Sequence, residues 1–202
     1  MFGCIYKVVK YAIGCGKGKI KDAKDTIEKV EKISKVHDTS IQLFNADCIV
    51  GEIHIISAIL HAKRAFEQNK NTSDNFMTEV LLYASGERQI RHAIKKIGIQ
   101  ESDDARVCIL AYCEEQNPKE TKDKDVNDNT KDTNAKDTKD RIEDIIEIVI
   151  RTLGLERDDS LILPNEYKLK HLGCSEEELN AVPKNRRYDL ALEKVALVDI
   201  KK

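Results

Sequence analysis

With 202 residues, 41% hydrophobic and 35% charged, the chain is long enough to bury one core, and its longest apolar stretch, Ile53 to Leu60, falls far short of the ~20 residues a membrane span needs. Its 34 basic and 36 acidic residues nearly cancel. That excludes a global basic field, so any nucleic-acid contact needs a local patch.

Phe2 to Ile13 alternates like a strand, and Gly14, Gly16 and Gly18 are expected to end it. Lys7 and Lys10 interrupt this start, which argues against a signal peptide and leads to a cytoplasmic expectation. Lys19 to Val36 reads as an amphipathic helix with Ala23, Ile27, Val30 and Ile33 inward. Ser40 to Asn45 is a short second strand, and a long helix then runs from Ala46 or Asp47 to about Gln68. After the polar run 69–75, helices are expected at Ser73 to Ala84 and on to Lys96, broken at Gly86 and stopped by Gly98. Asp104 to Cys113 is a third strand.

Asn117 to Asp140 repeats the words TKD and AKD with almost no apolar residue, so it is expected to be a mobile insertion in a single 1–202 domain. Arg141 to Leu153 follows as a helix with Ile142, Ile145, Ile146 and Val149 inward. Short helices are expected at Asn165 to Leu172 and at Ser175 to Asn180, the latter opened by the Ser175–Glu178 capping pattern. Arg186 to Ile200 favours helix over strand. The fold class is α+β (α/β in the broad sense): a small, mostly antiparallel or mixed sheet of about three or more strands covered by about seven helices.

Chemistry-bearing constellations are sparse. The six cysteines, Cys4, Cys15, Cys48, Cys108, Cys113 and Cys174, form no Cys-x-x-Cys pair and read as small apolar residues in a reducing compartment. The glycine cluster 14–19 fits neither phosphate-loop nor dinucleotide spacing, although Lys17 and Lys19 could touch an anion. His54 and His61 are seven apart, the wrong interval for a helical metal pair, and read as core or rim histidines. His37, His92 and His171 show no partner. No catalytic residue, metal or cofactor is assigned.

The informative segment is Glu79 to Gly98, EVLLYASGERQIRHAIKKIG. Ile90, Ala93, Ile94 and Ile97 form one apolar stripe, and Arg88, Arg91, His92 and Lys95 form an opposed basic one. Free amides between Gly86 and Gln89 would make an anion site beside Arg88. Tyr83 could stack a base if exposed, and Lys63 and Arg64 could extend the patch. The plain alternative is a solvated helix face.

The run through Leu81, Leu82, Tyr83, Ala84, Gly86, Arg88, Gln89, Ile90, Ala93 and Gly98 resembles the hallmark segment of the PRPK-binding subunit of the KEOPS complex. The terminal EKVALVDI is also similar, and the charged insertion is a departure from that family. The resemblance implies a non-catalytic regulatory subunit that docks on the small atypical kinase/ATPase. Through that kinase it meets the transferase that makes threonylcarbamoyl-adenosine in tRNA. It also implies a part in holding tRNA, including its 3′ end. Kinase docking requires an exposed apolar patch on another face, to which the sequence assigns no residues. Two other readings stay open: a purely protein-binding allosteric regulator of the kinase, and a small-ligand enzyme using the glycine turn.

Overall fold

The computed structural model describes residues 10–113 and 131–200. The expected strand start at Phe2, Cys4 and the first part of the insertion, 114–130, lie outside the described residues. The element order is β1 (Lys10–Ile20), α1 (Ala23–His37), β2 (Ser40–Asn45), α2 (Glu52–Glu67), α3 (Phe76–Ser85), α4 (Ile90–Ile97) and β3 (Ser102–Cys113). It continues with α5 (Lys131–Leu153), β4 (Glu156–Arg157), α6 (Glu166–His171), α7 (Glu176–Ala181) and α8 (Asp189–Leu197). Helix α5 therefore begins inside the stretch read as insertion.

Local chemistry sets the helix ends. Asp22 accepts from the amides of Lys24 and Asp25 at the start of α1, and Asn75 accepts from Thr78 N–H at the start of α3. Gly86 ends α3 with φ 70°, a left-handed cap that a side chain would strain. Ser175 and Glu178 form the expected capping box.

The sheet is antiparallel throughout, in the order β2-β3-β1-β4. Alternation along β3 feeds two cores. Cys108, Leu110 and Tyr112 join Cys15 and Phe44 beneath α2, α3, α4, α6 and α8. Val107, Ile109 and Ala111 join Ala12 and Leu43 against α1 and α5. The expected α+β class and sheet of three or more strands are met; the fourth strand, two-residue β4, leaves no periodicity to read.

The glycines do not end the first strand. Gly14, Gly16 and Gly18 sit inside β1, paired to Ile109, Val107 and Ala105. They share one face, where a Cβ on Gly14 would overlap Ile146 Cγ2 and one on Gly18 would come within 3.0 Å of Leu155 Cδ2. Glycine is used here for close approach of α5 and Leu155 to the strand, not for a turn. Lys17 pairs with Glu156 and Asp158, and Lys19 with Asp103, so neither presents an uncompensated charge. Gly14→Ala should cost about 1 to 3 kcal/mol through overpacking, read as a lower denaturation midpoint at unchanged slope.

Two further expectations shift. Ala46–Cys48 is a 3-10 turn, and α2 starts only at Glu52 after Gly51 at φ 83°. His171 does have a partner, the ring of Tyr167 at 4.2 Å between centroids. Four of the described cysteines are buried and Cys113 is partly so; all five are free thiols. Buried Lys168 donates to Ile49 O at 2.9 Å and to Leu161 O, pinning the entry to α2. Burial pushes its pKa down.

Candidate nucleic-acid interface

Helices α2 and α3 pack side by side, and the end of α8 crosses both. Asp199 is the acceptor at that crossing. Tyr83 Oη donates to its Oδ1 at 2.6 Å, while Arg64 Nη2 donates to Oδ2 and His61 Nδ1 lies 3.2 Å from the same oxygen. Burial acts to raise the Asp199 pKa, but the bonds from Tyr83, His61 and Arg64 outweigh it and hold the carboxyl below its ordinary value. Burial first, and Asp199 second, push the Tyr83 hydroxyl well above its ordinary value.

Arg88 reaches the same stretch from the turn between α3 and α4. Its Nη1 donates to Val198 O at 3.1 Å and its Nη2 to Thr72 Oγ1 at 3.0 Å. The loop that supplies Thr72 is itself fixed by buried Glu79, whose Oε2 accepts the amides of Thr72 and Ser73 at 2.9 Å each. A buried carboxylate satisfied by amides thus sets the position of a half-buried arginine. Beside it a groove of about 360 Å³ is lined by Arg64, Ala65, Gln68, Lys70 and Asp199. Several cations around one largely committed acid suit an oxyanion such as a phosphodiester.

The structure brings Arg64, Tyr83 and Arg88 together on Val198–Asp199. It does not place Tyr83 for stacking: the ring is 1% exposed, next to His61 at 5.5 Å. Arg91 and Lys95 lie on the outer side of α4, exposed, and have no ion-pair partner among the described residues. Lys63 is partly buried on α2. The expected cradle of free amides is reduced. Gly86 N–H bonds Tyr83 O, and Glu87 N–H is turned back to Leu82 O and Ser85 Oγ. Gln89 opens α4 without a side-chain cap.

The apolar stripe of α4 is only half buried. Ala93 and Ile97 are in the core, whereas Ile90 is 41% and Ile94 51% exposed. Sequence reading missed Asp199, Lys70 and Thr72. For Asp199 there was a signal: a lone carboxylate between Val198 and Ile200 at the end of an apolar helix. His54 is a core histidine as expected, with Nδ1 accepting from Val50 N–H at 3.2 Å and Nε2 2.9 Å from Ala84 O. No described helix is long and apolar enough to cross a membrane.

Comparison with known proteins supplies the lineage. The chain is 29% identical over 165 residues, 80% of its length and 84% of the relative's, to the regulatory protein Cgi121 of Methanocaldococcus jannaschii. It is 32% identical over 90 residues, 43% of its length and 53% of the relative's, to the KEOPS complex subunit Cgi121 of Pyrococcus abyssi. Residues 18–198 match the family model described as kinase binding protein CGI-121, so the chain belongs to that family.

Proposed function

We propose that this chain is a non-catalytic adaptor of a cytoplasmic KEOPS complex. It binds the small kinase directly, meets the transferase through that kinase, and adds a basic surface that holds tRNA, including its 3′ end, for threonylcarbamoyl-adenosine formation. The names of its relatives, a regulatory protein and a KEOPS subunit, support the adaptor half. One observation carries the tRNA half: α4 turns Arg91 and Lys95 to solvent with no ionic partner among the described residues. Arg88, Arg64 and Lys70 add charge around Val198–Asp199.

Binding should rest on phosphate contacts, since Tyr83 is withdrawn from stacking. Arg91→Glu and Lys95→Glu are the cleanest probes, because neither side chain supports the fold. Each should weaken tRNA binding several-fold, and each should flatten the log-affinity against log-salt slope by roughly one, read by filter binding at several salt concentrations. Unchanged affinity and slope in the double variant would remove tRNA from this face.

A second reading, a protein-binding regulator with no RNA contact, draws on a specific feature. Arg64 and Arg88 already serve acceptors of this chain. Kinase binding without tRNA retention would select it.

A further inference from the structure

Ile27 of α1 and Ile90 and Ile94 of α4 are residues that amphipathic periodicity assigns to the interior. In the folded chain they are 46%, 41% and 51% exposed. All three line one groove of about 340 Å³. Its floor is β2, the outer strand of the sheet, and its walls come from the two helical layers, α1 on one side and α3 with α4 on the other. The groove therefore lies in line with the sheet, where a further strand would run.

The floor offers backbone groups for pairing. Cys15 gives its N–H to Asp159 Oδ1 and its carbonyl to Asp158 N–H, so it faces away from β3. Ladder alternation then turns Cys108 toward Phe44, and turns Ile41 and Leu43 outward on β2. Consistent with that, Leu43 O is met by a side chain, Gln42 Nε2 at 2.9 Å, a contact that an incoming amide would replace.

Resting on the adaptor reading above, the geometry points to the β2 edge groove as the docking site of the kinase, filled by one extended segment of it. That segment pairs with β2 and sets branched apolar side chains against Ile27 on one side and Ile90 and Ile94 on the other. A helix would leave the outward groups of Ile41 and Leu43 unpaired. A second copy, pairing β2 with β2 about a two-fold axis normal to the sheet, would bring α4 against α4 and set Arg91 and Lys95 against themselves.

The test measures affinity of the full chain for the recombinant KEOPS kinase encoded in the same genome, by calorimetry, with hydrogen exchange on the complex. Ile27→Asp and Ile94→Asp change exposed positions and keep the fold, checked by thermal melting. Each should weaken kinase binding about tenfold or more. Ile53→Asp on α2, at a 56% exposed isoleucine outside the groove, should leave it unchanged. The amides of Ile41 and Leu43 should exchange more slowly in the complex. Full affinity in both groove variants overturns the proposal and spares the adaptor reading. So does a loss confined to Ile53→Asp, which would move the kinase to α2. Weakened binding without protection of Ile41 and Leu43 overturns the strand pairing. A chain that binds no kinase overturns both.

Discussion

Replacing His54 with alanine should destabilise the fold by about 3 to 5 kcal/mol at neutral pH, the largest effect expected of any single change considered. His54 is fully buried between the start of α2 and the end of α3. The Val50 N–H donates to Nδ1, which requires that nitrogen to be unprotonated, so the ring proton sits on Nε2 and is given to Ala84 O. Alanine would leave a void and two buried polar groups without partners. Val50 lies beside the turn that positions α2, and Ala84 beside the Gly86 turn, so the damage would reach both supports of the basic surface.

The same ring sets a pH dependence. Burial lowers its pKa from 6.5 to about 4, with the Ala84 carbonyl opposing and Lys168 and Lys96 assisting. The unfolded chain therefore takes up this proton first as pH falls. Stability from this site is intact above pH 6.5 and declines as pH falls from about 6.5 to about 4, by about 3 kcal/mol in total. Carboxylates titrate near the lower end of that window, so the informative quantity is the difference between the unmodified chain and His54→Ala. Urea melts at pH 7.5 and pH 4.5 should show that difference shrinking. A gap between the two proteins that stays constant across the window would sink the assignment.

What the sequence reveals and conceals follows from the range of the forces involved. Helix ends are legible because capping is local: Asp22, Asn75, Gly86 and the Ser175–Glu178 box each act within a few residues. The β1 glycines are misread because in one dimension three glycines look like a turn, and only the approach of Ile146 and Leu155 from far along the chain explains them. Ile27, Ile90 and Ile94 follow helical periodicity faithfully; the monomer has no layer to place over them. Tyr83 is misplaced because its hydroxyl turns inward to Asp199. Their bond joins residues 116 apart, and nothing local encodes it.

That bond makes Asp199 the position where stability and the proposed RNA contact pull in opposite directions. Asp199→Ala removes the acceptor shared by Tyr83 and Arg64, and should cost about 2 to 3 kcal/mol, because the almost buried Tyr83 hydroxyl loses its partner. Since the folded-state pKa is depressed, the carboxylate's contribution is present above the unfolded value of about 3.8 and is lost as pH falls through the lower folded value. Asp199→Asn keeps an oxygen for Tyr83 and should cost less. Both changes remove the negative charge facing Arg64 and Lys70, leaving Arg64 Nη2 bonded to His61 Nδ1 alone. On the adaptor reading both should therefore bind tRNA more tightly than the unmodified chain at low salt, with the advantage fading as salt rises. Measured below the melting transition of each variant, weaker tRNA binding in Asp199→Asn would show that Arg64 must be held by the carboxylate to meet RNA. Equal binding at every salt concentration would show that the phosphate path does not pass this groove.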